Sequence, residues 1–456
     1  MELERLLHPR TVAVVGATDR AGSYAGRTLL NLRALGFPGE VWGVNPGRSA
    51  AHGYPCFGSL RDCPSPPDAV VVAIPAAGVP AVVEEAASIG CGGAVVYGAG
   101  FGEVPAGATY EVALRDAAAR HDLPVCGPNG NGIVSLHERL ALWGDALSPL
   151  EPGRVALVSQ SGNVAVNALA TRRALRLHTV VSCGNASALD PGEWIARLAG
   201  EEGVGSIAAY LEADGDGARL CEALALCAER GVGVSVLKVG ASSAGAAAAA
   251  AHTGAVAGDM RVFRALVEEA GAAWAADVHE LLELAKAQAV PARARSPRSG
   301  GLAVLTCSGG DSALAADECE RIGLSLPPLA DATAQRLREL LPDAATVGNP
   351  LDYTALIWGE VETLRDIVSV VGSDPAIDQV LVLYDQPVGI EGDPDESWAA
   401  VREGILAGAL ASPAPVLMAA TLPELLDDTA AARFIRAGVP AIAGLRTGLA
   451  CAATLR

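Results

Sequence analysis

Short apolar runs alternate with helix-length stretches along almost the whole chain, and that alternation most limits what it can fold into. Runs of this kind, rich in Val, Ile, Leu and Ala and lacking polar alternation, are strands buried on both faces. Separated by helical segments, they give parallel α/β sheets. Strands are expected at residues 11–15, 41–44, 68–74, 94–97 and 124–126, then at 154–158, 178–182, 206–212, 234–238 and 273–276. A third series runs through 302–306, 324–326, 379–384, 415–418 and 439–442. Ser148-Pro149-Leu150-Glu151-Pro152-Gly153 breaks the first series. Residues 290–300 are basic, proline-punctuated and without period, as a linker is. The expected architecture is α/β with three consecutive domains, 1–148, 149–289 and 301–456. Each has about 150 residues, an ordinary domain size.

Charge narrows the possible partners. Lys and Arg number 33 against 52 Asp and Glu, a net charge of −19, so no basic stripe is expected to wrap a nucleic acid. Any bound anion must then be held by helix N-termini and glycine loops. The ten cysteines are scattered singly with no C-x-x-C pair, which argues against a zinc site or a disulfide framework. The apolar run 246–251 is far shorter than the roughly 18 residues of a membrane span. MELERLLHPRTVAVVG has no signal-peptide pattern, so a cytoplasmic chain is expected, with no membrane partner.

The strand at 11–15 runs into Gly16-Ala17-Thr18-Asp19-Arg20-Ala21-Gly22-Ser23 and then a helical stretch. A strand, a turn of small residues and a helix start make a phosphate site. The G-x-G-x-x-G spacing of dinucleotide binders is absent. The second strand ends in Asn45-Pro46-Gly47-Arg48 rather than in an acid, which suits a phosphorylated ribose better than a free one. Ile74-Pro75 ends the third strand at the same carboxyl edge. A nicotinamide dehydrogenase is therefore disfavoured.

VAVVGATDRAGSYAG, VWGVNP, DAVVVAIPAAGVP, GAGFGE and CGPNGNGI, in that order, resemble the CoA-binding domain of NDP-forming acyl-CoA synthetases. SQSGN, SCGNASALD, YLEADGD, LKVGASSAGAAAAAAHTGAVAG, TCSGGDSALAADECERIGLSL and GNPLDY extend the likeness over essentially the whole chain. The resemblance is to succinyl-CoA synthetase α subunits and to the α subunit of ADP-forming acetyl-CoA synthetases. It implies a Rossmann-like CoA-binding domain followed by two flavodoxin-like ligase domains. CoA contacts are implied for the Gly16–Asp19 turn, Ser23, Asn45, Arg48, Ile74, Pro75, Gly98 and Ala99.

His252, in Ala251-His252-Thr253-Gly254-Ala255, matches the family's phosphohistidine loop. A phosphohistidine needs one ring nitrogen free to attack and the other N–H held by an acceptor. Glu212, at a strand end and in the family's Y-L-E motif, is the expected acceptor. Two strand-to-helix turns, Ser159-Gln160-Ser161-Gly162 and Ser308-Gly309-Gly310, are the expected phosphate cradles. A helix terminus favours an anion by roughly 0.3–1 kcal/mol when exposed and up to about 2 when partly buried. In Gly127-Pro128-Asn129-Gly130-Asn131-Gly132, Asn131 stands where relatives carry an apolar residue, so Asn129 and Asn131 are expected at the acyl end.

The reaction implied is interconversion of acyl-CoA, phosphate and ADP with carboxylate, CoA and ATP, through an acyl phosphate and a phosphohistidine. The chain has no G-x-x-x-x-G-K-[ST]. ATP or ADP with Mg²⁺ is therefore expected on an ATP-grasp β subunit, in an αβ or α2β2 assembly, with short-chain or aromatic acyl-CoA as substrate. The competing reading is a CoA-binding regulator or scaffold without catalysis.

Overall fold

In the computed structural model the structure describes residues 2–148, 150–247, 259–291, 300–387, 389 and 392–455. His252 lies outside the described residues. The chain divides into two compact units, Met1–Thr171 with Arg176–Leu281, and Arg172–Leu175 with Leu282–Arg456.

The first sheet is built from β1 (Thr11–Val15), β2 (Glu40–Val44), β3 (Ala50–Ala51), β4 (Tyr54–Phe57), β5 (Ala69–Val72), β6 (Ala94–Val96) and β7 (Val125–Cys126). Its order is β3-β4-β2-β1-β5-β6-β7, with only the β3–β4 pair antiparallel. Without β3, this is the order of Rossmann sheets, which reverse direction between β1 and β5. Val12, Ala13 and Val14, and Ala69 to Val72, are fully buried, as strands covered on both faces require.

The second sheet contains β8 (Gly132–Ser135), β9 (Leu140–Trp143), β10 (Val155–Ser159), β11 (Leu177–Ser182), β12 (Ser206–Leu211), β13 (Gly233–Lys238) and β14 (Ala273–Trp274). Its order is β14-β13-β12-β10-β11-β8-β9. The five strands β10 to β14 are parallel and follow the flavodoxin order 2-1-3-4-5. The β8–β9 hairpin is antiparallel and joins through β11, with Val181 opposite Ile133. It lies ahead of residue 148, inside the stretch that the sequence assigns to the first domain. Backbone pairing nevertheless puts it in the second sheet, because β8 satisfies the free edge of β11.

That hairpin also holds the first sheet. The helix α1 (Tyr24–Leu35) packs on β9. Thr28 Oγ1 and Asn31 Nδ2 donate to the Trp143 carbonyl at 3.2 and 3.0 Å, and Asn31 also reaches the Asp145 carbonyl at 2.7 Å. One hydrophobic core therefore runs from Leu29, Leu32 and Val71 through Ile133 and Leu142 to Val158, Trp194 and Ile207. Two further helices of this unit position the site below, α2 (Gly162–Ala170) and α3 (Met260–Glu269).

The third sheet forms in the second unit from β15 (Leu302–Thr306), β16 (Leu351–Asp352), β17 (Gln379–Leu383), β18 (Val416–Ala420) and β19 (Ala441–Ala443). It is parallel, in the order β16-β15-β17-β18-β19, again 2-1-3-4-5, and α4 (Gly309–Ile322) follows β15. The strand expected at 324–326 does not form. Leu324 N turns back to the Cys319 carbonyl at 2.8 Å, the Ser325 carbonyl accepts from Leu302 N at 3.0 Å, and Pro327 and Pro328 supply no N–H to continue a ladder. β16 takes the place beside β15. Among the described residues, no helix is long and apolar enough to cross a membrane.

The second unit also buries a charged pair. Glu283, 1% exposed, accepts from Lys286 Nζ at 2.6 Å and from Ala443 N at 2.8 Å, while Lys286 also donates to the Arg173 carbonyl at 2.9 Å. Burial pulls the Lys286 amine below its ordinary range, and the Glu283 carboxylate opposes that pull. Removing one partner strands the other charge. Glu283→Ala should cost this unit about 3–5 kcal/mol, read as a drop in its urea-unfolding free energy. Glu283→Leu combined with Lys286→Met should lose less.

Candidate functional site

The turn after β1 is shaped by Gly16. Its φ is +87°, and a Cβ on it would sit 2.6 Å from the Ala73 carbonyl oxygen, so only glycine fits without a backbone shift. Gly16 N donates to the Val44 carbonyl at 3.0 Å, which ties the turn to the end of β2. Ser23 caps α1, accepting from Gly26 N at 3.1 Å and donating to the Arg20 carbonyl at 2.7 Å. A cleft of about 390 Å³ opens here, at the carboxyl edge where open sheets bind ligands.

Of the residues expected at a CoA site, Gly16, Ser23, Ile74, Pro75 and Gly98 line this cleft. Ala17 is buried beneath the turn. Thr18, Asp19, Asn45 and Arg48 brace the loops rather than line the cleft. Thr18 Oγ1 accepts from Arg20 N at 3.3 Å. Asn45 Nδ2 donates to the Ala17 carbonyl at 2.9 Å while its Oδ1 accepts from Gly47 N. Arg48 pairs with Asp19 at 2.8 Å. The His52 amide, and then Arg48, hold the Asp19 carboxyl below its usual range. Ala99 is exposed beside the cleft.

Arg20 and the Tyr24–Tyr97 pair also line the cleft, with ring centroids 5.8 Å apart. The sequence reading passed over them. Arg20 is the lone cation of the Gly16–Ser23 turn, a signal overshadowed by the Asn-Pro strand end and its Arg48.

The second site lies at the reversal of the second sheet, between β10 and β12. Ser159 Oγ donates to the Ser161 carbonyl at 2.8 Å and accepts from Ser161 N at 3.1 Å, so the turn folds on itself before α2. Gln160, 7% exposed, uses Oε1 to accept from Glu212 N at 2.7 Å and Ala213 N at 3.1 Å. One amide thus ties the loop after β10 to the loop after β12. Glu212 itself is half-buried next to this turn. Burial, followed by the Asp190 and Glu212 carboxylates, pushes the neighbouring Cys183 thiol up to about 12. It is no thiolate nucleophile at neutral pH.

The 127–132 segment connects the two sites. Asn129 N donates to the Gly98 carbonyl at 2.9 Å, at the cleft's edge, and Asn129 Nδ2 donates to Asn185 Oδ1 at 3.2 Å. Asn131 N donates to Ser182 Oγ at 3.0 Å, and Asn131 Nδ2 to Asp145 Oδ2 at 3.0 Å. Asn131 Oδ1 stands 3.1 Å from where a Cβ on Gly162 would be, at the first turn of α2. Gly144, which bonds the Asn131 carbonyl at 3.2 Å, packs on the Tyr24 ring. The cleft-lining tyrosine, Asn131 and the positive end of α2 are therefore neighbours within one unit.

In the second unit, Ser308 caps α4, accepting from Asp311 N at 3.3 Å. Gly309 and Gly310 open that helix, and Asp352 Oδ2 lies 3.4 Å from where a Cβ on Gly309 would be. Carboxylates from Asp311, in the first turn, and Asp352 therefore stand at this helix end. Burial raises the nearby Asp385 carboxyl above its ordinary range, with the Thr421 amide opposing it.

A Rossmann-type cleft is joined within one unit to a flavodoxin-type parallel sheet, the pairing of domain types that the following relatives share. Residues 10–135 match a CoA binding domain family, and residues 152–288 match the succinyl-CoA ligase like flavodoxin domain. The chain is 33% identical over 384 residues to acetate–CoA ligase [ADP-forming] I of Archaeoglobus fulgidus, covering 84% of this chain and 54% of that protein. It is 30% identical over 402 residues to acetate–CoA ligase [ADP-forming] I subunit alpha of Pyrococcus furiosus, covering 85% of this chain and 83% of that one. Its fold is similar to a solved acetyl-coenzyme A synthetase 1 of Ca. Korarchaeum cryptofilum, in complex with phosphate and ADP. The TM-score is 0.85 at 26% identity, over 100% of this chain and 96% of that one. The chain belongs to the ADP-forming acyl-CoA synthetase family. It spans about half the length of the Archaeoglobus relative and most of the Pyrococcus alpha subunit.

Two substitutions test the cleft. Gly16→Ala should both lower the unfolding midpoint and weaken CoA binding, because the Cβ clash moves the turn. Arg20→Ala should weaken CoA binding about tenfold, near the scale of one charge-assisted hydrogen bond, and leave the unfolding midpoint in place. Calorimetric titration with CoA beside thermal unfolding checks both.

Proposed function

We propose that this chain is the CoA- and phosphate-handling part of an ADP-forming acyl-CoA synthetase, working as an α subunit in the cytoplasm. CoA lies in the cleft between the Gly16 turn and Gly98, with Arg20 toward its phosphates. The acyl thioester extends past Tyr24 to Asn131. Phosphate is held by the N–H groups of the Ser159–Gly162 turn and the first turn of α2.

A phosphate oxygen attacks the thioester carbonyl. The C–S bond breaks, a C–O bond forms, and CoA leaves as a thiolate that takes up a proton. An imidazole nitrogen of His252 then attacks the phosphorus of the acyl phosphate. The P–O bond to the acyl group breaks, the carboxylate leaves, and Glu212 accepts the N–H of the other ring nitrogen. Backbone dipoles aimed at the developing negative charge lower the barrier without a cationic cluster. ADP with Mg²⁺ on an ATP-grasp partner, in an αβ or α2β2 assembly, receives the phosphoryl group. Short-chain or aromatic acyl-CoAs are the substrates.

The observation that carries this reading is the contact of Asn131 with Gly162 in the unit that also holds the cleft. It leaves a short path from thioester to phosphate. The purified chain, mixed with acetyl-CoA and [³²P]phosphate, should release CoA thiol and take up an acid-labile, base-stable label. His252→Ala should take none. Equal labelling of the two would remove His252 from the mechanism, whereas wild type that releases no CoA thiol and takes no label would favour a non-catalytic CoA-binding protein. Glu212→Gln should slow labelling by about 10²-fold while CoA affinity stays within about twofold. A parallel loss of CoA affinity would undo this division of roles.

A further inference from the structure

β13 ends in a buried charge that the mechanism does not use. Val234, Val236 and Leu237 are apolar core residues, but the strand's last position is Lys238, with a side chain only 1% exposed. Lys238 is paired in register with Leu211, the residue before Glu212. Its ammonium donates to the Glu212 carbonyl at 3.3 Å and pairs with Asp214 at 3.0 Å. It also lies 5.6 Å from the centre of the Phe263 ring, on α3. Phe263 in turn meets Trp274 of β14 edge-on, at 6.3 Å.

Burying an ammonium is costly unless it is paired, and an unbranched apolar side chain would fill the same space. The charge is therefore poorly explained by stability. What it does geometrically is specific. It grips the 212–214 loop from below while Gln160 grips the same loop from the phosphate turn. It also joins that loop to α3 through the ring.

We propose that Lys238 is a positioning residue, clamping the 212–214 loop between β13 and α3 so that the Glu212 carboxylate keeps a fixed place beside the phosphate turn. Its bearing on the reaction rests on the role given to Glu212 above. A misplacement of about 1 Å at a reacting group costs on the order of 10²-fold in rate.

The test is Lys238→Met, which keeps the volume and the packing on Phe263 but removes the charge, assayed with acetyl-CoA and [³²P]phosphate. Labelling should slow by about 10²-fold, with the KM values for acetyl-CoA and phosphate within about twofold of wild type. Lys238→Arg should restore most of the rate. Asp214→Asn, at a partly exposed position where the fold is not at stake, should slow labelling less but in the same direction. Normal labelling by Lys238→Met, or failure of Lys238→Arg to recover any rate, overturns the assignment and leaves the family mechanism intact. If the wild-type chain itself takes no label, that mechanism fails, and hydrogen exchange decides the clamp. Amides of residues 212–214 and of α3 should then lose protection together in Lys238→Met while α1 keeps its own. Absence of that joint loss overturns the inference.

Discussion

The pairing of β8 with β11 is the contact on which the geometry of the first unit depends. It attaches a hairpin that follows the first sheet in sequence to the edge of the second. The far strand, β9, then supplies the Trp143 carbonyl that Thr28 and Asn31 of α1 need. Two sheets that could each have closed separate cores share one. The Gly16 and Ser159–Gly162 turns gain fixed separations as a result. Asn131 lies at the start of the hairpin, so its placement against Gly162 follows from the strand pairing together with its own bonds to Ser182 and Asp145.

All three sheets reverse their order beside their first parallel strand, and in each a helix follows that strand. In a chain with a net charge of −19, this is an economical way to receive anions. The reversals are not equivalent. The first adds Arg20 to its turn, the second adds Gln160 and neutral hydroxyls, and the third is already surrounded by Asp311, Asp352 and Asp385. Topology supplies the place, and a few side chains decide which charge each place accepts.

Much of this could be read from the sequence, because buried parallel strands and their small-residue turns leave local patterns. The Gly16 turn, the Ser159–Gly162 turn and Glu212 fall where their spacing puts them. What escaped is non-local. The partner of residues 132–135 is an edge 44 to 50 residues further on, which no periodicity reveals. Asn45 and Arg48 read as ligands because strand ends bind ligands. Their hydrogen bonds go to Ala17, Gly47 and Asp19 and brace the turn that carries Arg20. Nothing in the strand at 234–238 marks out Lys238, and only the neighbours that fold over it make it a clamp.

The shared hairpin has an evolutionary corollary. A gene segment cut at the proline-rich break after Asp145 would carry off two strands of the next sheet and expose the edge of β11 to other chains. The two folds are thus poor candidates for independent shuffling, although their architectures differ. Recombination that rearranges domains within such a lineage would be expected to move them as a pair.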